Sequence, residues 1–109
     1  MSGFAKTKKA VSAMKDGAQK ELLTNLVRKA EFMHEELLKL QKYIADNGWT
    51  EEYQNGQNQY GKKKSSEGDT YNQLIKNYAA IMRQIIDKLP ADTEKDDELT
   101  QFMKRKNGV

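Results

Sequence analysis

From Leu23 to Ile44 the apolar residues Leu23, Leu26, Ala30, Met33, Leu37, Leu40 and Ile44 recur at alternating spacings of three and four. That alternation keeps one stripe of a helix apolar through successive heptads, and nothing else in the chain restricts its fold so tightly. The pattern predicts one long helix over 21–47, ended by Gly48. Leu22, Val27 and Leu38 widen the stripe beyond a two-stranded seam, so this helix is expected to touch more than one neighbour.

A second stripe, Tyr71, Leu74, Ile75, Tyr78, Ile81, Met82, Ile85, Ile86 and Leu89, has the same period. Asp69 or Thr70 is available as N-cap and Pro90 follows the end, so a second long helix is predicted. Its isoleucines are weak helix formers in isolation, and packing must hold it, against the first helix.

Between the two, Gly48 to Gly68 is rich in Gly, Asn, Gln and Lys. Asn55-Gly56, flanked by Glu52-Tyr53-Gln54 and Gln57-Asn58-Gln59-Tyr60, is the signal of a type I′ hairpin. An ordered loop pinned by Trp49, Tyr53 and Tyr60 is the alternative, and the polar flanks leave both open.

Beyond Pro90, the acidic run from Asp92 to Glu98 suits a helix N-terminus, and Thr93 with Asp96 has capping-box spacing. A short third helix is expected, with Leu99, Phe102 and Met103 on one side and Lys104-Arg105-Lys106 at its end. The fold class is therefore all-α: an antiparallel two-helix hairpin, a polar loop or small β-hairpin between the long helices, and a short C-terminal helix. In domain terms, 1–20 is a basic, partly flexible arm, in which Val11, Met14 and Ala18 offer at most a weak helix. Residues 21–90 form the oligomerisation core, and 91–109 the C-terminal helical segment.

Composition enters through the size of the core. Of the 109 residues, 37% are hydrophobic and 32% charged. So short and so charged a chain has a thin interior, which a partner surface is expected to complete. Self-association through exposed parts of both stripes, with Leu23, Leu26, Met33, Leu37, Leu40, Ile44, Leu74, Ile81 and Ile85 as the candidate residues, follows as the expectation. The formal net charge of +3 is unevenly spread, because the first twenty residues hold Lys6, Lys8, Lys9, Lys15 and Lys20 against Asp16 alone. No apolar run is long enough to span a bilayer, no secretory apolar segment opens the chain, and there is no cysteine. An intracellular protein without membrane contact is expected.

Each test for catalytic chemistry favours the structural reading. Gly56-Gln57-Asn58-Gln59-Tyr60-Gly61-Lys62 follows the opening of a P-loop, but Lys63 stands where Ser or Thr would hold magnesium, and no apolar strand precedes it. His34 has no second histidine or cysteine with which to share a metal, and Glu31, Glu35 and Glu36 beside it read as solvated helix charges. No serine sits in a glycine elbow. The expectation is a protein that is not an enzyme and takes no cofactor. What remains is association and electrostatic contact, through Lys6, Lys8, Lys9 and Lys15, through Lys62, Lys63 and Lys64, and through Lys104-Lys106. Weak phosphate contacts repeated around an oligomer add, with a steep salt dependence.

The run from Trp49 to Ser65 (WTEEYQNGQNQYGKKKS), then Tyr71-Asn72-Gln73-Leu74-Ile75-Lys76-Asn77-Tyr78 and Leu89-Pro90, resembles the small terminase subunits of tailed bacteriophages and prophages. The order of parts agrees over roughly residues 20 to 92: a long helix, a polar loop bearing glycine and asparagine, a lysine-rich turn, and a second helix ending near Leu-Pro. The resemblance implies a non-catalytic, ring-forming adaptor in the cytoplasm of a bacterial host. It would recognise double-stranded viral DNA and regulate the large terminase subunit, which holds the packaging ATPase and nuclease. Many small terminases carry an N-terminal helix-turn-helix, for which the first twenty residues here are too short and too polar. A phage helical structural or regulatory interaction module without DNA binding is the competing reading, since the heptads alone suffice for it.

Overall fold

A computed structural model describes residues 3–54, 56, 60–90, 93 and 96–106. In chain order the elements are α1 (Ala5–Ser12), α2 (Gly17–Asn47), β1 (Thr50–Gln54), β2 (Tyr60–Lys64), α3 (Ser66–Lys88) and α4 (Asp97–Lys106). The molecule is a rod, 66 × 29 × 22 Å. Among the described residues no helix is long and apolar enough to cross a membrane.

The antiparallel pair α2 and α3 forms the body of the rod. Leu23, Leu26, Ala30 and Leu37 of α2 meet Tyr78, Met82 and Ile85 of α3, all buried. Gln19 Nε2 donates to the Lys88 carbonyl at 3.3 Å at one end of the seam, and Gln41 Nε2 donates to the Tyr71 hydroxyl at 3.2 Å towards the other. The predicted long helices are thus present. Both begin earlier than the apolar periodicity indicated, because side-chain caps and not apolar residues set their first turns. Asp16 accepts from the Gln19 amide, and Ser65, not Asp69 or Thr70, accepts from the Gly68 amide. Gly68 is tightly placed: a Cβ there would lie 3.3 Å from the Trp49 carbonyl oxygen.

The expected use of the heptad stripe needs correction. Leu23, Leu26, Leu37, Ile44 and Ile85 are buried inside the single chain, and Met33, Leu40, Leu74 and Ile81 are half-buried. The stripe mainly forms the intramolecular seam, since a helix tethered through a short connection meets its neighbour before any second molecule.

The segment between the helices is a two-stranded antiparallel sheet, but not with the register that Asn55-Gly56 suggests. Gln54 pairs with Tyr60, so five residues connect the strands in place of a two-residue turn. In this register Glu51 faces Lys63 and Glu52 faces Lys62, opposite charges directly across the ladder. A two-residue turn at Asn55-Gly56 would move the pairing by an odd number of residues and lose both matches. Asn55 and 57–59, within that connection, lie outside the described residues. Gly48 joins α2 to β1 at φ 82°, ψ 179°, a region open essentially to glycine alone. Trp49 then meets Tyr71 edge-on at 5.8 Å, which fixes the sheet to α3.

The N-terminal segment also departs from expectation. Its first part is not a loose arm but the docked helix α1, with Phe4, Thr7 and Val11 buried. Phe4 packs edge-on to His34 at 6.3 Å, and His34 stacks obliquely on Tyr78 at 6.1 Å, so the histidine has a structural setting between two rings. Sequence periodicity offered only a weak helix here, through Val11, Met14 and Ala18, and its N-cap residue, Phe4, has no acceptor of its own. Asp96 supplies one from the far end of the chain. Its carboxylate accepts from the Lys6 and Thr7 amides, both at 2.9 Å, and from the Thr7 hydroxyl at 2.6 Å. The capping box expected of Thr93 and Asp96 is overturned by this: α4 starts after Asp96, whose side chain is committed to α1. Asp92, Glu94 and Lys95 lie outside the described residues.

Removing that carboxylate strands two amides and a buried hydroxyl, so Asp96→Ala is expected to lower unfolding stability by about 2–3 kcal/mol. The urea midpoint reads this, with Thr7→Val expected to lose less. A second expectation concerns the helix-to-strand junction: Gly48→Ala is expected to cost about 1–3 kcal/mol, since its backbone conformation excludes a Cβ.

Candidate nucleic-acid interface

The candidate cations come to the surface in two places, at opposite ends of the rod. By helix rise alone, the 19 residues of α2 after Arg28 set β2 about 30 Å from the groove that Arg28 lines.

The first is the elbow where α1 turns into α2. Because α1 runs back along the first half of α2, Lys8 reaches Glu31 at 2.6 Å. A groove of about 300 Å³ opens between the helices, lined by Lys8, Val11, Ser12, Thr24, Val27, Arg28 and Glu31. Beside it Gly17, Lys20, Glu21, Thr24, Asn25 and Arg28 line a shallower depression. Lys15 is exposed in the turn between the helices, and Lys6, Lys9, Ala10 and Ala13 of α1 line a depression together with Thr93. The structure therefore divides the predicted N-terminal lysines. Lys8 faces α2, Lys6 and Lys9 border the Thr93 depression, and Lys15 is exposed in the turn before α2.

Arg28 did not stand out in the sequence, yet Lys20, Thr24 and Arg28 are spaced i, i+4, i+8, which places them on one face of a helix. That spacing was the available signal. The acids nearby are partly engaged: Glu31 bridges Lys8, and Asp16 caps the Gln19 amide at 3.1 Å. With Lys8 paired to Glu31 and Glu21 in the same depression as Lys20 and Arg28, the cations that this end offers a polyanion are Lys15, Lys20 and Arg28, through individually weak contacts.

The second place is strand β2. Lys62, Lys63 and Lys64 are exposed, but each has an acid near it. Lys62 faces Glu52 in the ladder, Lys63 Nζ is 3.5 Å from Glu51, and Lys64 Nζ is 3.6 Å from Asp69. Alternating signs make a weaker attractor for phosphate than a block of one sign. The side chains of Tyr53, Tyr60, Lys104, Arg105 and Lys106 lie outside the described residues.

Close to this end Tyr43 is held above its ordinary value of 10.0, first by the charge of Glu67, then by burial and a hydrogen bond to the same carboxylate, with a smaller push from Glu51. Among the described residues no three or more His, Asp or Glu side chains gather as a metal site requires.

Comparison of the chain with protein-family models, with curated proteins and with solved structures finds no match to any of them.

The Tyr43 phenol gives a pH prediction. A raised folded value means that stability is complete below pH 10.0 and declines as pH rises past it, because the unfolded chain ionises first. Glu67→Gln is expected to bring the ring's titration down towards its ordinary value, read from the Tyr43 ring carbon shifts by NMR.

Proposed function

We propose that this chain is a non-catalytic, self-associating adaptor for double-stranded DNA, acting as a small terminase subunit that recognises viral DNA and regulates a large subunit during genome packaging. One observation carries the DNA part: Lys20 and Arg28 line a shallow depression in the first half of α2, and Lys15 is exposed in the turn that precedes the helix. The resemblance of residues 20 to 92 to that family carries the biological setting, including the bacterial cytoplasm and the large subunit as partner. Assembly into a ring would repeat the elbow and add its contacts.

In this reading the elbow is the principal DNA contact and Lys62, Lys63 and Lys64 a secondary one. With no nucleophile or metal invoked, the protein contributes position and affinity, and chemistry belongs to the partner. The alternative, a phage helical interaction module without DNA affinity, draws its support from the acid partners of the β2 lysines.

Titration of duplex DNA at two salt concentrations separates the readings. Lys15→Ala, Lys20→Ala and Arg28→Ala combined are expected to weaken binding roughly tenfold or more at low salt, and to reduce the slope of log K against log[salt] by about one for each phosphate no longer neutralised. Lys62, Lys63 and Lys64 replaced together by Ala are expected to have the smaller effect. If the unaltered protein leaves duplex DNA unbound at low salt, the interaction-module reading replaces this one.

A further inference from the structure

One flank of α2 keeps an apolar stripe that the fold does not cover. Phe32, in the middle of the helix, is 67% exposed, and Leu22 and Tyr43 are 43% and 39% exposed. Met33 and Leu40 lie half-buried along the same flank. At 3.6 residues per turn these five side chains project about 100° or more around the helix from Glu31 and His34, where α1 docks, with Phe32 and Glu36 at the edge of a depression that Gly3 and Phe4 also line. Leu38, also exposed, lies on the other flank. An aromatic ring this open at the centre of a long helix, with apolar residues on the same flank towards either end, is the pattern of a contact surface and not of a scattered surface residue.

The order of residues along the flank identifies what fits it. From N to C it reads Leu22, Asn25, Lys29, Phe32-Met33, Glu36, Leu40, Tyr43, at distances from the Phe32–Met33 peptide bond that are the same in both directions. Reversal exchanges apolar for apolar at Leu22/Tyr43 and Phe32/Met33 and cation for anion at Lys29/Glu36, and it sets Asn25 over Leu40. A second copy laid antiparallel therefore sets Lys29 of each chain against Glu36 of the other, Leu22 against Tyr43, and Phe32 against Met33. A parallel copy would instead oppose Lys29 to Lys29 and Glu36 to Glu36. Such self-complementarity is what a two-fold interface demands of one surface patch.

We propose that this flank of α2 is a two-fold interface with a second copy of this chain, antiparallel and centred on the Phe32–Met33 peptide bond. The unit rests on the self-association proposed above but is independent of DNA, and a larger ring would join such pairs through other surfaces. Ordinary helix charges become registration marks here: Lys29 and Glu36, two turns apart within a chain, meet across the axis twice in each pair.

Sedimentation velocity on the full chain tests it. The unaltered protein is expected at the mass of two 12.5 kDa chains. Phe32→Asp changes an exposed side chain, so helicity by circular dichroism should persist while pairing weakens roughly 100-fold. Lys29→Glu alone, or Glu36→Lys alone, is expected to weaken pairing roughly tenfold by opposing like charges at both symmetric points. Glu36→Lys also breaks the 3.0 Å bridge to Lys39 within the chain, so the decisive sample is an equal mixture of the two single variants. Both contacts are again complementary in the mixed pair, and its affinity is expected to return to that of the unaltered protein.

A monomer at all concentrations, a Phe32→Asp protein of unchanged mass, or a mixture no tighter than its components would overturn the interface. The DNA titration is scored separately: absence of DNA binding with the mass pattern intact removes only the DNA reading, and retained DNA binding without the pattern removes only this interface.

Discussion

Every other part of this molecule takes its position from the apolar seam between α2 and α3. Full burial of a leucine or isoleucine contributes about 1.5–3 kcal/mol, and Leu23, Met82 and Ile85 are wholly enclosed along this line. Helices with so many charged residues would fray alone, and packing along one face keeps them continuous. Once the seam is set, α1 and α4 have only a flank of the pair on which to lie. The β-hairpin is carried at the far end, where Trp49 and Tyr71 secure it.

The seam does not hold the ends by itself. A single carboxylate, Asp96, joins the start of α1 to the start of α4 across 90 residues of sequence. It does for α1 what a local N-cap does for α2 and α3, with the added effect that the two terminal segments become one layer. That layer shapes the groove at the elbow, because Lys8 and Ser12 face Thr24 and Arg28 only while α1 is docked. The proposed DNA contact therefore depends on a hydrogen-bonded cap some distance away.

Much of the architecture was legible from residue order. The two long helices announced themselves by period, Gly48 and Pro90 marked their ends, and the Gly- and Asn-rich stretch between them raised the possibility of a turn between strands. What was misread had a common cause. Caps supplied from afar, as Asp96 supplies α1, leave no local signal. Hairpin register followed Glu51 and Glu52 opposite Lys63 and Lys62, an effect of pairing that a turn dipeptide does not contain. At the candidate site, Arg28 forms a groove with Lys8 and Ser12 only when α1 lies beside it.

The sequence by itself determined which residues avoid water and with what period, since hydrophobic spacing is a local property that survives in any context. It could not determine what the apolar surface would meet. Leu23, Leu26, Leu37 and Ile44 were readable equally as a seam between molecules or within one, and the tertiary structure assigned them to the interior. The same choice left Leu22, Phe32 and Tyr43 outside. A helix has more apolar surface than one neighbour covers, and only the packed arrangement decides which side is covered and which remains open to another chain.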